Sequence, residues 1–122
     1  MQALILDDSR TLRRILGDML RQLSFEVVEA ANGRQALQYL EGARLPDIVL
    51  VDWNMPEMNG LEFVKAVRAQ DRLRDLPLMM VTTETEMDQM AAALEAGANE
   101  YLMKPFDKKS VTEKLQLLEV LS

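Results

Sequence analysis

The sequence of 122 residues contains no cysteine and no histidine. Without cysteine there is no disulfide framework and no thiolate zinc site, and without histidine the commonest general base and transition-metal ligand is missing. A metal site in this chain must therefore use oxygen ligands, which favours Mg²⁺ or Ca²⁺.

Positive charge and long apolar runs are also scarce. The 14 basic residues are outnumbered by 20 acidic residues, giving a net charge of −6, whereas a nucleic-acid-binding surface needs clustered basic residues. No apolar run approaches the ~20 residues of a membrane-spanning helix, and the chain reaches Asp7 and Asp8 too early for a signal peptide. We therefore expect a cytoplasmic protein that binds neither nucleic acid nor membranes.

Two kinds of hydrophobic pattern alternate along the chain. Between short apolar runs, other segments place apolar residues three or four positions apart, as in an amphipathic helix. Thr85 and Asp107 are expected to cap the helices that follow them, and Gly97 to end the fourth helix. The short apolar runs, which are typical of buried strands, lie at residues 4–6, 25–28, 48–51, 78–81 and 101–103.

This alternation predicts one domain over residues 1–122 of the α/β class. The expected fold is a flavodoxin-like, doubly wound (βα)5 three-layer sandwich, because apolar strands joined by helices form a parallel sheet covered on both faces. We expect the strand order 2-1-3-4-5, in which functional residues gather at the carboxyl ends of the strands.

Chemically active side chains stand at four of these strand ends. Asp7 and Asp8 follow the first strand, and Asp52, Thr82 and Lys104 follow the third, fourth and fifth. Each has an ordinary explanation alone, since Asp8 could cap a helix, Asp52 could belong to a turn and Lys104 could be a solvated strand end. Together they predict one cleft, because a parallel sheet brings these ends to one edge.

The chemistry of this set favours phosphoryl transfer with a metal ion. Three clustered carboxylates repel one another unless a proton or a cation is taken up, and their hard oxygens suit Mg²⁺. A carboxylate beside Mg²⁺ can attack phosphorus and form an acyl phosphate. Lys104 and the Thr82 hydroxyl can bind the remaining phosphoryl oxygens.

The sequence resembles the receiver domain of two-component response regulators, in particular the stand-alone chemotaxis (CheY) type, over nearly its whole length. The resemblance implies that Asp52 accepts a phosphoryl group from a histidine kinase. It also implies that Asp8 and Asp52 bind Mg²⁺ through their carboxylates, Asn54 through its backbone carbonyl and Asp7 through water, with Mn²⁺ able to substitute. The matching segments, in family order, are Asp7-Asp8-Ser9, Asp52-Trp53-Asn54-Met55-Pro56, Asn59-Gly60, Met80-Val81-Thr82, Gly97-Ala98 and Lys104-Pro105-Phe106.

Further roles follow from the same resemblance. Lys104, placed by a cis Lys104-Pro105 bond, pairs with the phosphoryl group. Thr82 swings towards a phosphoryl oxygen and Tyr101 moves inward behind it, which reshapes the face formed by the fourth helix, fifth strand and fifth helix. Asn54 and Glu84 occupy positions that tune hydrolysis of the acyl phosphate. The chain is therefore expected to catalyse its own phosphotransfer and dephosphorylation, and not to be an enzyme otherwise.

Two features concern the surroundings of these residues. Thr83 occupies a position at which the family needs a small residue. The larger threonine is expected to narrow the space that admits the phosphoryl group and the moving Thr82. Met55 and Met58, on the loop after Asp52, are the methionines expected to be exposed.

The implied partners are a histidine kinase, a phosphatase and a protein target such as a flagellar motor switch component, with the chain itself a monomer. A chemotaxis role is favoured, while a phosphorelay intermediate, a receiver of another pathway or a docking-only receiver remain as alternatives. A flavodoxin-like electron carrier is disfavoured because Asp7 and Asp8 would repel a flavin phosphate. A Mg²⁺-dependent phosphatase with an aspartyl nucleophile is disfavoured because Asn54 stands where a second acid is usual.

Overall fold

Strands and helices alternate along residues 1–121, the part of the chain that the computed structural model describes. Short 3-10 segments, Asp71–Leu73 and Glu84–Gln89, precede the fourth strand and the fourth helix. The elements are β1 (Gln2–Leu6), α1 (Arg10–Gln22), β2 (Glu26–Ala30), α2 (Gly33–Leu40), β3 (Ile48–Asp52), α3 (Gly60–Arg68), β4 (Leu78–Thr82), α4 (Met90–Ala96), β5 (Glu100–Met103) and α5 (Lys108–Leu117).

The strands form a parallel sheet in the order β2-β1-β3-β4-β5, so the predicted fold class and strand order are confirmed. Every residue of β1, β3 and β4 is buried, which explains their continuous apolar character. Alternate residues of β1 enter different cores, because successive side chains point to opposite faces: Leu4 and Leu6 pack with α2, α3 and α4, and Ala3 and Ile5 pack with α1 and α5.

Polar caps fix where the helices begin. Ser9 Oγ accepts a hydrogen bond from the Leu12 amide before α1, and Asp107 and Ser110 cap each other reciprocally at α5. The predictions of Asp107 as a cap and Gly97 as the end of α4 are therefore confirmed. Gly97 has a φ of 122°, which disfavours any side chain there.

Three expectations about local structure were wrong. Thr85 does not cap the segment before α4, because the helical turn already begins at Glu84, after Thr83. The second strand begins at Glu26, after a turn in which Ser24 has a φ of 73°, and not at Phe25. Met55 is only 7% exposed, because it packs with the core on the α2–α4 side of the sheet.

Arg68, the last residue of α3, joins several loops at the edge of the sheet where the strands begin. Its guanidinium donates to the carbonyl oxygens of Leu73, Leu76 and Gly97 at 2.7, 2.7 and 3.0 Å. It also donates to Asn99 Oδ1 at 3.0 Å. Burial lowers the pKa of Arg68 from its ordinary value, but these hydrogen bonds supply partners for the charged donors.

None of the helices within residues 1–121 combines the length and hydrophobicity required to span a lipid bilayer.

Candidate functional site

Three carboxylates meet at the edge of the sheet where the strands end. Strands β1 and β3 are neighbours, with Leu6 opposite Val51, so the next residues, Asp7 and Asp52, are brought side by side. Asp7, Asp8 and Asp52 each offer an oxygen, and these oxygens lie within 4.8 Å of one another. The sequence-predicted convergence of these acids is thus found in the structure.

Burial makes this cluster electrostatically costly. Asp7 and Asp52 are only 5% and 4% exposed, whereas Asp8 is exposed to solvent. Burial, with a smaller contribution from the Asp52 charge, raises the pKa of Asp7 from 3.8 to about 6, although a hydrogen bond from the Ser9 amide at 2.8 Å opposes the rise. Burial also raises the pKa of Asp52, while Lys104 opposes that rise. The carboxylates therefore carry a charge that burial disfavours.

Lys104 joins the cluster from the other side. Its Nζ donates to Asp52 Oδ1 at 2.9 Å, and its amide donates to the Thr82 carbonyl oxygen at 2.6 Å. The peptide bond between Lys104 and Pro105 is cis, as expected. Because Lys104 is partly exposed, with 21% of its side chain accessible, its ammonium group can also contact a ligand that enters from solvent.

Thr82, at the end of β4, is fully buried. Its hydroxyl lies 3.3 Å from the carbonyl oxygen of Thr83 and 3.4 Å from Oε1 of Glu86. Tyr101 lies on β5, three residues before Lys104, and is half-buried, with its ring 4.4 Å from Nζ of Lys114. The hydroxyl of Thr82 is thus directed to the segment that follows β4.

Asn54 and Glu84 are both exposed. Asn54 lies on the loop that follows β3, and Glu84 begins the 3-10 segment that follows β4. Asn54 lies two residues after Asp52 in the chain, and Glu84 two residues after Thr82. The structure therefore assembles Asp7, Asp8, Asp52 and Lys104 in one cleft. Asn54 and Glu84 lie in the segments that leave the same edge of the sheet.

The backbone around Asp52 is held by a close approach of α3. Gly60 begins this helix, and its amide donates to the Trp53 carbonyl oxygen at 3.0 Å. A Cβ atom at Gly60 would lie 2.7 Å from the terminal methyl of Met80 and 3.2 Å from the Asp52 carbonyl oxygen. Glycine therefore lets α3 pack directly on the chain that leaves Asp52.

The sequence model of one protein family, described as the response regulator receiver domain, matches residues 3–116 of this chain. The chain belongs to that family. Receiver domains are parts of two-component response regulators, and the acids and the lysine of the cleft belong to the segments that resemble this family in sequence.

Similar proteins include chemotaxis regulators. The receiver is 43% identical to chemotaxis protein CheY1 of Helicobacter pylori over 119 residues, covering 97% of this chain and 96% of that protein. Chemotaxis protein CheY4 of Vibrio cholerae has a crystal structure that matches with a TM-score of 0.88 and 38% identity, covering 96% of this chain and 97% of that one. The receiver domain of a sensor histidine kinase from Pseudomonas aeruginosa, solved with magnesium coordinated in its active-site cleft, matches with a TM-score of 0.84 and 28% identity over 98% and 94% of the two chains.

Two residues of this receiver's site were not identified from the sequence. Arg13 on α1 donates to the Asp7 carbonyl oxygen at 2.7 Å and to Glu29 at 3.0 Å, which anchors the turn after β1. Glu86 accepts from the amide and hydroxyl of Thr83, each at 3.0 Å. Glu86 could have been found, because Thr-x-x-Glu before an apolar run is the capping-box pattern. Nothing in the sequence pattern marks Arg13.

The cleft of this receiver has the donor set that a hard divalent cation requires. Asp7, Asp8 and Asp52 offer carboxylate oxygens, without nitrogen or sulfur ligands. Burial is the main cause of the raised pKa values of Asp7 and Asp52, and Lys104 opposes the rise at both carboxyls. A bound cation would oppose the rise in the same direction. The residues present therefore fit Mg²⁺, which is typically held by a few carboxylate oxygens and water.

Proposed function

We propose that this receiver accepts a phosphoryl group on Asp52 in a Mg²⁺-dependent reaction and thereby changes which protein it binds. The observation that carries the proposal is the grouping around Asp52. The Lys104 ammonium lies 2.9 Å from its carboxylate, and oxygens of Asp7 and Asp8 lie within 4.8 Å of the cluster. An acid that only stabilised the fold would not need two further acids beside it.

The ligands proposed for Mg²⁺ are the carboxylates of Asp8 and Asp52, the backbone carbonyl of Asn54 and, through water, the carboxylate of Asp7. Mn²⁺ is proposed as a substitute, because it also accepts oxygen ligands. The ion, when bound, neutralises part of the charge on the transferring phosphoryl group.

Different residues of the chain have different roles in phosphoryl transfer and hydrolysis. A carboxylate oxygen of Asp52 attacks phosphorus while the P–N bond of a phosphohistidine on the kinase breaks, and the histidine nitrogen retains that bonding pair. An acyl phosphate forms on Asp52, and attack by water later releases inorganic phosphate and restores the carboxylate. Lys104 moves from the free carboxylate to a phosphoryl oxygen, where its charge compensates the three equatorial oxygens. Asn54 and Glu84 are proposed to set the rate of the hydrolytic step.

Phosphorylation is proposed to act on partners through Thr82 and Tyr101. The new group adds roughly −1.5 to −2 of charge beside Lys104, and its oxygens accept a hydrogen bond from the Thr82 hydroxyl. Tyr101 then moves inward, and the face formed by α4, β5 and α5 changes shape. A coupling of about 1–3 kcal/mol between the two sites would change partner affinity from several-fold to about a hundredfold.

Similarity to chemotaxis regulators supports a chemotaxis pathway in particular. The proposed partners are a histidine kinase as donor, a phosphatase and a protein target such as a flagellar motor switch component. We propose that the chain acts as a cytoplasmic monomer and catalyses only the phosphorylation and dephosphorylation of its own Asp52.

Intact-mass measurement after incubation with acetyl phosphate tests the acceptor. The wild-type protein should gain one phosphoryl mass with Mg²⁺ and none with EDTA, and Asp52→Asn should gain none. Asp75→Asn is the matched control, because Asp75 is exposed at the opposite edge of the sheet and should leave the gain unchanged. A phosphoryl gain by Asp52→Asn would refute the acceptor assignment, and no gain by the wild-type protein would favour a docking-only receiver.

A further inference from the structure

The hydroxyl of Thr82 is already engaged in the unphosphorylated protein. It is fully buried and lies 3.4 Å from Oε1 of Glu86 and 3.3 Å from the carbonyl oxygen of Thr83. A hydroxyl has one proton to donate. Any other acceptor that needs this proton, including a phosphoryl oxygen on Asp52, must therefore compete with these two oxygens.

Glu86 is held firmly in the position from which it competes. Its Oε1 accepts from the amide and the hydroxyl of Thr83, each at 3.0 Å. The Thr83 hydroxyl is in turn 2.9 Å from the hydroxyl of Thr85. Thr83, which departs from the small residue typical of the family, thus contributes a donor that orients Glu86.

Glu86 also carries a negative charge in the segment that follows β4. A phosphoryl group on Asp52 would add roughly −1.5 to −2 of charge at the edge of the sheet where that segment begins. Such repulsion would act whatever residue occupies position 82, so it is distinct from the competition for the Thr82 proton.

We infer that Glu86 is a positioning residue that holds Thr82 in its unphosphorylated orientation and sets how readily the switch responds to Asp52 phosphorylation. This inference rests on the proposed function. It assigns to the Thr83–Glu86 pair a role in the energetics of switching, since a ligand shifts a two-state equilibrium only by its differential affinity for the two states.

Glu86→Gln is the informative substitution. Glutamine retains the oxygen that accepts from Thr83 and is equally suited to a capping box, so the fold should be preserved. The hydrogen bond to Thr82 becomes neutral and the repulsion of the phosphoryl group is removed. Because the 3.4 Å contact between Thr82 and Glu86 is long for a hydrogen bond to a carboxylate, neutralising it predicts an affinity for beryllofluoride about two- to threefold tighter in the presence of Mg²⁺.

Binding of beryllofluoride can be followed by the fluorescence of Trp53, the single tryptophan, which is adjacent to Asp52. Asp88→Asn is the control, because it removes one negative charge from an exposed position in the same segment. It should leave the affinity unchanged. Thr83→Ala, which removes one donor to Glu86, should tighten binding by a smaller factor than Glu86→Gln.

A double-mutant cycle separates positioning from a general charge effect. If Glu86 acts through Thr82, then Glu86→Gln should lose most of its effect in a Thr82→Val background. A second readout needs no phosphoryl analogue: the methyl resonance of Thr82 should shift in metal-free Glu86→Gln and stay in place in Asp88→Asn.

The possible outcomes are distinct. The inference would be overturned if Glu86→Gln tightened beryllofluoride binding as much in the Thr82→Val background as in the wild type, or if Asp88→Asn tightened it as much as Glu86→Gln. Either result would mean that only the loss of a negative charge matters. An unchanged affinity of Glu86→Gln beside normal wild-type binding would overturn the inference alone. Failure of the wild-type protein to bind beryllofluoride would overturn both the inference and the proposed function.

Discussion

Replacing Asp7 by asparagine should stabilise the metal-free protein at neutral pH. Burial raises the pKa of the Asp7 carboxyl from 3.8 to about 6, so the folded protein resists the charge that the unfolded chain carries freely. The amide oxygen of asparagine can still accept the hydrogen bond from the Ser9 amide, which is 2.8 Å long in the wild-type structure. The substitution therefore removes the charge and keeps the contact.

The size and the pH range follow from the two pKa values. The difference between 3.8 and about 6 corresponds to about 3 kcal/mol of lost stability when the carboxyl is fully ionised. Because the pKa is higher in the folded state, this contribution is absent below pH 3.8, develops as the pH rises and is complete above about pH 6. The asparagine variant should thus match the wild type near pH 4 and exceed it at pH 7.

Urea denaturation in EDTA measures the effect. A gain of about 3 kcal/mol moves the midpoint by roughly 1–3 M urea for typical slopes. Asp18→Asn, an equal charge change on the exposed face of α1, should stay within about 0.5 kcal/mol of the wild type. Mg²⁺ should stabilise the wild type more than the variant, since only ligand bound to the native state adds stability. A variant no more stable than the wild type at pH 7, or equally more stable at pH 4, would refute the argument.

Two further predictions concern contacts away from the acids. Arg68→Met should lower the free energy of unfolding by about 3 kcal/mol, because the carbonyl oxygens of several loops lose their donor. Urea denaturation measures this loss, and Arg68→Lys should recover only part of the lost stability. A loss below about 1 kcal/mol for Arg68→Met would contradict the prediction. Lys114→Gln should lower the free energy of unfolding by about 1 kcal/mol, because Lys114 Nζ lies over the Tyr101 ring and 3.1 Å from Glu100. Lys114→Arg should keep most of this stability. Equal stability of the wild type and both variants in urea denaturation would be inconsistent with these contacts.

The sheet was predictable because its signals are local and repeated. Continuous apolar runs marked β1, β3 and β4, and parallel topology then brought Asp7, Asp52 and Lys104 to one edge. This inference needs no knowledge of side-chain contacts, since strand order alone decides which ends are neighbours.

The predictions for Met55 and Thr85 were wrong because contacts in the folded chain override what the local sequence favours. Met55 lies on a loop, yet it is buried because that loop folds back on the core. Thr85 has a side chain suited to capping, but Thr83 and Glu86 form the first turn earlier in the chain. Sequence periodicity carries no information about such choices between neighbouring polar residues.

The contacts of Arg68 could not be predicted for a different reason. Arg68 donates to carbonyl oxygens that lie up to 29 residues away along the chain, and any residue type can supply a carbonyl oxygen. An arginine partnered by backbone therefore leaves no matching acid in the sequence. Only the folded chain reveals which carbonyls it joins.

Strand β5 lies at one edge of the sheet, which affects how easily the lysine side of the cleft can move relative to the carboxylates. Strand β5 pairs with β4 alone, whereas β1 and β3 are each paired on both sides. Displacing β5 disrupts one ladder of hydrogen bonds, and displacing β1 or β3 disrupts two. Asp7 directly follows and Asp52 ends a strand that is paired on both sides, while Tyr101 lies on β5 and Lys104 directly follows it, at an edge strand that can shift at lower cost. The carboxylates of the cleft are therefore held more rigidly than its lysine.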